Sequence, residues 1–378
     1  MNKTRRAFGW SSLGLGAALA GSRGSVLASA EAPRANRLHE DPKLSSFEVN
    51  LVRGRGSDVL AAFGCAQPGG EAGEIRLVRS GDGGVRWSKP VPLFSTPGPL
   101  DGTRGYQHAA LTSLNDGTLF ASTTGYGFLF GGKAGWRRGS RIDGVYTRAS
   151  KDGGRTWSET KKVEIPSIRR AWTRGPVVEM QDGSLLLPLA GQRGDTYEDV
   201  RQPIFSFAMR STDGGESWTR HAIVAEGAND YDEPFMIALN GGRLLCVLRS
   251  HEAPKQDPPG GYLHITVSDD RGATWTKPKA TSMWGHPATL LRLENGNVLC
   301  TYGYRMHPNP GVRACLSEDG VNWQPGKIFA VNALPDVDGD HLQIGCPSSL
   351  ELEAGRILTA YQVWSQDRLS LESSQYRV

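Results

Sequence analysis

The chain repeats one short motif five times, and this repeat constrains the fold more than any other feature. The motif has the form Ser-x-Asp-x-Gly-x-x-Trp, and half of the ten tryptophans lie in it. The aspartate can accept hydrogen bonds from the amides of its own turn, glycine adopts positive φ without a steric cost, and tryptophan can pack back over the turn. Each copy therefore predicts a β-hairpin turn. The copies span residues 80–87, 150–157, 211–218, 268–275 and, one residue shorter, 317–323.

A second pattern alternates with the first and consists of a short strand, a turn that contains glycine, and a second apolar strand. The six copies span residues 49–63, 109–123, 176–189, 234–248, 287–302 and 347–361. Two hairpins per unit give four antiparallel strands, and radial repetition of such units forms a β-propeller. The sequence therefore predicts an all-β fold, a six-bladed β-propeller of four-stranded antiparallel blades. The sixth unit ends too soon for four strands, and we expect residues near 40–47 to supply its outer strand.

The first 30 residues have the composition of an export signal. Arg5 and Arg6 resemble a twin-arginine pattern, a weakly apolar run follows at residues 13–20, and residues 28–30 read Ala-Ser-Ala, as at a cleavage site. We therefore expect residues 1–30 to be a twin-arginine-type signal and residues 31–378 to be one propeller domain, periplasmic or secreted, without a membrane anchor. Beyond residue 30 the chain carries 39 basic and 39 acidic residues, so its charge gives no reason to expect nucleic-acid binding.

Polar residues stand where the inner hairpins begin. In a propeller the innermost strands start at one face around the axis, so their first residues should converge on a shared pocket. The ends of the second strands should lie at the same face. The strand starts offer Gln107 and His108, Arg174, Asp232 and Glu233, His286 and Cys346, with Glu48 or Asn50 in the first unit; the second strands add Arg249, Arg305 and Tyr361.

The Asp motifs and the hairpins resemble the sialidase superfamily of six-bladed propellers with Asp-box (BNR) repeats, over about residues 40–378. The resemblance implies an exo-glycosidase in which an arginine triad binds the substrate carboxylate, a glutamate supports a tyrosine nucleophile, and an aspartate serves as acid and base. Glu233 matches the family glutamate. Arg249 and Arg305 match two members of the triad, with Arg313 as an alternative to Arg305.

Three positions depart from the family pattern. Where the family has its first triad arginine, the chain reads Phe47-Glu48-Val49-Asn50, and where it has the tyrosine nucleophile, the chain has Cys346. Where it has the acid/base aspartate, the chain offers only Glu71 and Glu74. The chain therefore resembles a divergent, exo-sialidase-like member.

These observations predict a site without a cofactor or a metal ion. We assign catalysis to Glu233, His108 and Tyr361. We assign substrate binding to Arg174, Arg249, Arg305, His286 and Asp232. The stretch Asp336-Val337-Asp338-Gly339-Asp340-His341 resembles the start of a calcium loop but lacks the bidentate glutamate near its twelfth position.

Three functions are compatible with this sequence. The first is an exported exo-glycosidase, a glycoside hydrolase that releases a terminal, acidic sugar from glycans. The second is a propeller-type polysaccharide lyase that acts on uronate-containing glycans, and the third is a glycan-binding propeller without catalysis. Each predicts a glycan as partner and a monomeric protein, and the fold alone does not choose between them.

Overall fold

Six antiparallel sheets form the blades of a propeller, which confirms the predicted all-β, six-bladed fold. The computed structural model describes residues 34–70, 72–95, 105–128, 140–168, 170–193, 203–251, 261–306, 309–333, 345–365 and 368–378. The predicted export signal, Glu71 and the calcium-like loop at residues 336–341 lie outside these ranges. Within them, no helix is both long and apolar enough to cross a membrane.

The blades follow one another along the chain, and each begins with its innermost strand. The N-terminal strand is β1 (Arg34–His39), and blade 1 follows with β2 (Ser45–Arg53), β3 (Val59–Ala66), β4 (Glu74–Ser80) and β5 (Val91–Phe94). Blade 2 has β6 (Gly105–Ser113), β7 (Leu119–Phe128), β8 (Ser140–Ser150) and β9 (Lys161–Lys162). Blade 3 has a split innermost strand, β10 (Arg170–Thr173) and β11 (Val178–Glu179), then β12 (Leu185–Gln192), β13 (Ile204–Ser211) and β14 (Thr219–Ala225).

The second half of the ring repeats this arrangement. Blade 4 has β15 (Asp230–Ala238), β16 (Leu244–His251), β17 (Tyr262–Ser268) and β18 (Lys279–Trp284). Blade 5 has β19 (Ala288–Arg292), β20 (Val298–Tyr304), β21 (Gly311–Ser317) and β22 (Ile328–Ala333). Blade 6 has β23 (Gly345–Glu353), β24 (Arg356–Ser365) and β25 (Arg368–Arg377), and single 3-10 turns lie at Asn240–Gly242 and Pro325–Lys327.

The strand that closes the ring is not the one the sequence predicted. β1 pairs antiparallel with β25 and becomes the outer strand of blade 6, whereas residues 40–47 were expected there. Asp41 Oδ1 accepts the amides of Lys43 and Leu44 at 2.8 and 3.0 Å, which turns the chain just after β1. Residues from Ser45 onward are then buried in the innermost strand of blade 1. An outer strand needs few apolar residues, and β1 carries only one buried apolar side chain, that of Leu38, so hydrophobic patterning gave no signal for it.

Apolar side chains fill the spaces between adjacent blades. Leu77 of blade 1, for example, packs in one cluster with Leu119 and Ala121 of blade 2. Leu299 of blade 5 and Tyr361 of blade 6 share another. Because every blade buries both of its faces in this way, the polar residues at the innermost strands are held on a rigid ring.

The Asp motifs form the turns between the third and fourth strands, as their sequence indicates. In the copy at residues 211–218, the Ser211 hydroxyl accepts the Gly215 amide at 2.8 Å, and Asp213 Oδ1 accepts the Ser217 amide at 3.0 Å. The Trp218 indole N–H donates to the Gly215 carbonyl at 3.2 Å. The second glycine of the motif also contacts the preceding blade, because a Cβ on Gly215 would lie 2.7 Å from Cζ of Phe120 in blade 2. The motif therefore joins blades as well as strands.

Substituting the two glycines of this motif should separate these roles. Gly214 and Gly215 have φ values of 72° and 91°, so alanine is strained at either position by about 1–2 kcal/mol. At Gly214 nothing lies within 4 Å of the added methyl group, whereas at Gly215 it meets the Phe120 ring. We expect Gly214→Ala to lower the free energy of unfolding by about 1 kcal/mol and Gly215→Ala by about 3 kcal/mol. Urea unfolding of both variants measures this, and equal losses would contradict blade-to-blade packing at Gly215.

Candidate functional site at the propeller axis

The innermost strands of four blades share one backbone irregularity. Where each of these strands pairs with the second strand of its blade, the register shifts between Phe47/Asn50, Gln107/Ala110, Asp232/Phe235 and Gly345/Ser348. Such a β-bulge re-aims a side chain, and a non-glycine residue at positive φ is strained and typical of functional sites. The bulge residues at positive φ are Glu48 (55°), His108 (63°), Glu233 (49°) and Cys346 (44°).

Blades 3 and 5 reach the same level of the ring by other means. Arg174 stands directly after β10, where the innermost strand of blade 3 breaks before it resumes as β11. His286 precedes β19, and its amide donates to the Gly303 carbonyl at 2.9 Å. Each of the six blades thus contributes one polar residue just before or within the start of its innermost strand. We call Glu48, His108, Arg174, Glu233, His286 and Cys346 the axial residues.

Glu48 of blade 1 contacts residues of three other blades. Its Oε1 lies 3.4 Å from His108 Nε2, and its Oε2 lies 3.3 Å from Arg174 Nη1 and accepts the His108 amide at 3.0 Å. The Glu48 amide in turn donates to Gln362 Oε1 of blade 6 at 2.9 Å. Burial opposes the charge on Arg174, but Glu48, Cys346 and Glu233 together outweigh it and raise the pKa of the guanidinium. Glu48 and Arg174 therefore form a buried ion pair.

His108 is held on both sides of its ring. Nδ1 lies 3.5 Å from the Thr124 hydroxyl, opposite the contact between Nε2 and Glu48. Burial lowers the pKa of His108 below its usual value, against the opposing effect of Glu48. The imidazole is therefore neutral at neutral pH, and its single ring N–H can be directed at the Glu48 carboxylate.

Glu233 has one oxygen that is available for chemistry. Oε1 lies 3.3 Å from Arg249 Nη1, while the buried Oε2 has no hydrogen-bond partner among the residues that the structure describes. Burial raises the pKa of this carboxyl, but Arg249, Arg174 and other cations outweigh it and leave the pKa below its usual value. Glu233 is thus an ionised carboxylate with an unengaged oxygen, at the blade opposite Glu48.

Two further arginines approach these residues from the ends of second strands. Arg249 Nε donates to His251 Nε2 at 2.7 Å, and the His251 ring lies 5.9 Å from the ring of His286. Arg305 Nη2 lies 3.6 Å from Cys346 Sγ. Burial raises the pKa of the Cys346 thiol, so the sulfur is a neutral thiol at neutral pH and not a thiolate.

Asp232 contacts the backbone of Glu233 and the side chain of Trp172. Its Oδ1 accepts the Trp172 indole N–H at 2.8 Å and the Glu233 amide at 2.7 Å. Burial, and then the charge of Glu233, raise its pKa to about 6. The sequence placed Asp232 among the substrate-binding residues, and in the structure its Oδ1 is directed to Trp172 and to the backbone of Glu233.

The raised pKa of Asp232 predicts a pH-dependent effect of Asp232→Asn. The folded state binds a proton that the unfolded chain has lost above about pH 4, so this group's stabilising effect is complete below pH 4 and is lost as the pH rises through about 6. Asparagine mimics the protonated carboxyl and keeps both acceptor contacts. We expect the variant to gain about 1–3 kcal/mol relative to wild type at pH 8 and nothing at pH 4. Melting curves at both pH values test this, with the exposed Asp269→Asn as control, and a gain that is the same at both would contradict it.

The structure brings together seven of the eight residues that the sequence assigned to the site. Tyr361 is the exception and is a correction: it is fully buried between blades 5 and 6, and its hydroxyl contacts Ser374 Oγ at 2.7 Å. Burial raises its pKa to about 12. Its side chain points into a blade face because the pleat alternates along β24, so the structure does not bring it to the axial residues.

Contacts in the structure bear on three alternatives that the sequence left open. Arg313 stacks on the Tyr304 ring, with its guanidinium carbon 3.2 Å from the ring centroid, so Arg305 is the arginine of this blade that reaches the axis. Glu74 pairs with Arg76 at 3.0 Å and not with any axial residue. Glu48 belongs to the axis, whereas Asn50 Oδ1 accepts the Leu111 amide at 2.9 Å and joins blades 1 and 2.

Sequence reasoning missed His251 and Trp172. His251 follows Arg249 by two residues, so both side chains lie on one face of β16, and that spacing could have revealed the pair. Trp172 carried no local signal, because its contact with Asp232 joins residues 60 positions apart in neighbouring blades.

Comparison with known proteins agrees with this architecture. Residues 59–359 match the family described as BNR repeat-like domain. A sialidase of Micromonospora viridifaciens is 25% identical over 271 residues, which cover 62% of this chain and 38% of that protein. A sialidase of Bacteroides fragilis (strain YCH46) is 26% identical over 227 residues, which cover 55% of this chain and 38% of that protein. The match thus spans 38% of the length of each of these curated relatives.

Solved structures share the fold at low sequence identity. A protein of unknown function from Dyadobacter fermentans DSM 18053 superimposes with a TM-score of 0.75 at 22% identity, covering 92% of this chain and 100% of that one. A Trypanosoma rangeli sialidase in complex with the inhibitor DANA gives a TM-score of 0.62 at 13% identity, covering 90% and 57%. With its five Asp boxes, its six blades and a family match over most of its length, the chain belongs to the BNR repeat-like family and is a divergent member of the sialidase superfamily.

Proposed function

We propose that the protein is an exo-glycosidase that hydrolyses the bond to a terminal, acidic sugar of a glycan. The observation that carries the proposal is that two glutamates of the axial residues, Glu48 and Glu233, lie among three arginines. We further propose that the enzyme acts as a monomer, requires no cofactor and is exported to the periplasm or secreted through its twin-arginine-type signal.

The charges of the cluster favour an anionic ligand. Arg174 is paired with Glu48 and Arg249 with Glu233, each at 3.3 Å, while Arg305 contacts the neutral thiol of Cys346. Three guanidinium groups thus lie among these residues. Guanidinium groups bind carboxylates by charge-assisted and often bidentate hydrogen bonds, so the site favours a ligand that carries a carboxylate.

The two glutamates supply what hydrolysis of a glycosidic bond requires. Such enzymes place two carboxyl groups on either side of the bond: one attacks the anomeric carbon or activates water, and the other exchanges a proton with the leaving oxygen. Glu233 has an unengaged Oε2 for the first role. Glu48, on the opposite blade, is positioned by His108 and Arg174 for the second role, for which its carboxylate must first take up a proton that it then passes to the leaving oxygen. Proton transfer from a positioned group contributes about a hundred- to ten-thousandfold in rate.

One observation favours a lyase as the second candidate. A lyase needs a neutral base and a cation to offset the uronate, and His108 is a neutral imidazole with Arg174 close to the same glutamate. In β-elimination the base takes the proton at C5 while the bond to the leaving oxygen at C4 breaks. The product then has a carbon–carbon double bond, which a hydrolase does not form.

Incubation with sialyl, uronate and rhamnosyl oligosaccharides separates the three functions. New reducing ends without ultraviolet absorbance indicate a hydrolase, and new absorbance from an unsaturated sugar indicates a lyase. Binding without either product would contradict both enzymatic functions and leave a glycan-binding propeller.

Removal of Arg249 should mainly weaken substrate binding. Its guanidinium lies beside Glu233 and is oriented by His251. Loss of a buried charge-assisted contact costs about 2–5 kcal/mol, so we expect Arg249→Ala to raise KM for an anionic substrate far more than it lowers kcat. Arg243→Ala is the matched control, because Arg243 precedes the same strand and pairs with Asp269 at its other end. Equal KM values for the two variants would contradict the assignment.

A further inference from the structure

We infer that the acidic sugar is a uronic acid, whose carboxylate is on C5, and not a 2-keto sugar acid, whose carboxylate is on the anomeric carbon. The inference rests on the proposed function and names its substrate class. It follows from which groups the axis offers to the anomeric carbon.

The position of the sugar's carboxylate decides which nucleophile is tolerated. In a 2-keto acid the carboxylate is bonded to the anomeric carbon, so a group that attacks this carbon comes within a few ångströms of a negative charge. Like charges repel more strongly in a buried site than in water. A neutral hydroxyl avoids this repulsion, whereas a carboxylate does not.

The axis presents carboxylates and no tyrosine hydroxyl among its six axial residues. Cys346, which is 4% exposed, occupies the position at which the sialidase resemblance expects a tyrosine, and Arg305 Nη2 lies 3.6 Å from its neutral thiol. Glu48 occupies the position of the first triad arginine. A carboxylate on the anomeric carbon would therefore face Glu48 and Glu233, the two groups that repel it.

Three tyrosines in the described part of the chain that lie on strands of the ring have other contacts. Tyr361 is buried between blades with its hydroxyl on Ser374. Tyr126 lies edge-on to the His108 ring at 6.3 Å between centroids, and its ring packs in the cluster of Ile142 and Trp172 between blades 2 and 3. Tyr304 is stacked under Arg313. Tyr126, whose ring lies beside the ring of the axial residue His108, is tested below.

A uronate fits this distribution of charge. Its carboxylate on C5 is separated from the anomeric carbon by the ring oxygen, so an arginine can bind the acid while a glutamate acts at C1. Arg305 and Arg249 come from blades 5 and 4, on the side of Glu233, while Glu48 lies at blade 1. Bound in this way, the sugar's negative charge faces guanidinium groups and its anomeric carbon faces Glu233.

Three fluorogenic substrate classes test the inference on the mature chain: α- and β-linked 4-methylumbelliferyl glucuronides and galacturonides, the matching glucosides and galactosides, and the N-acetylneuraminide. We expect kcat/KM for one uronide to exceed kcat/KM for the N-acetylneuraminide by about 100-fold or more. It should exceed kcat/KM for the glycoside of the matching neutral sugar by a similar factor. Arg305→Ala should remove most of the preference for the uronide over the neutral sugar. Tyr126→Phe should still cleave the uronide, because no tyrosine is needed.

The outcomes distinguish the inference from the proposed function. Preferred cleavage of the N-acetylneuraminide, or loss of all cleavage in Tyr126→Phe, overturns the inference and leaves a glycosidase. If no substrate is cleaved, the proposed function fails, and calorimetric titration of the protein with glucuronate and with N-acetylneuraminate decides the inference alone. Tighter binding of glucuronate then supports it, while equal or weaker binding overturns it.

Discussion

Glu233→Gln is expected to lower kcat by about a hundred- to ten-thousandfold while the fold remains intact. The reason is the state of its two oxygens. Oε1 is paired with Arg249 at 3.3 Å, and a glutamine can keep an oxygen there. Oε2 is the buried, unengaged atom, and replacing it by an amide nitrogen removes both its negative charge and its ability to accept a proton.

The measurement compares kcat and KM for wild type and variant on the substrate that the glycan panel identifies. Glu353→Gln is the control, because Glu353 is an exposed carboxylate that pairs with Arg356 and Arg377 at the rim. Melting curves of both variants should lie close to that of wild type. If Glu233→Gln turns over substrate at the wild-type rate, the axis is not the active site, and the roles given to Glu48, His108 and the arginines are wrong as well.

Arg174→Met is expected to destabilise the protein by about 3–5 kcal/mol, the second large effect. Arg174 and Glu48 have side chains that are 7% and 12% exposed, so removing the guanidinium leaves an uncompensated buried carboxylate. Adding Glu48→Gln neutralises that carboxylate, and we expect the double variant to recover at least half of the loss. Such recovery is the signature of two groups that interact directly.

Urea unfolding of wild type, both single variants and the double variant gives the coupling energy. The control is Arg193→Met, which breaks an ion pair with Glu226 whose side chains are 61% and 49% exposed. An exposed pair contributes at most about 1 kcal/mol. If the Arg174 and Glu48 substitutions lower the free energy of unfolding additively, the two groups do not form a buried ion pair. Glu48 would then not link the axial residues of neighbouring blades.

The candidate site residues were predicted mainly by comparing equivalent positions in the repeated units, and not from any single motif. Strand starts in five units predicted His108, Arg174, Glu233, His286 and Cys346 as neighbours, and the structure places each of them at the same level of the ring. The sequence could not separate Glu48 from Asn50. A bulge inserts one residue into the strand and changes which side chain faces the axis. No local residue pattern in this sequence predicts where that insertion occurs.

By itself, therefore, the sequence determined the all-β propeller, its six blades and the face on which polar residues gather. It could do so because turn chemistry and strand alternation are local and recur in every unit. The tertiary structure decided that Arg34–His39 closes the ring, that Tyr361 lies in a blade interior, and that Glu48 meets His108 and Arg174. These outcomes depend on contacts between segments that are far apart in the chain: β1 pairs with the other end of the chain, and Glu48 is 60 residues from His108. Such contacts are determined by how the blades pack when the ring closes. A short stretch of sequence carries no pattern that predicts them.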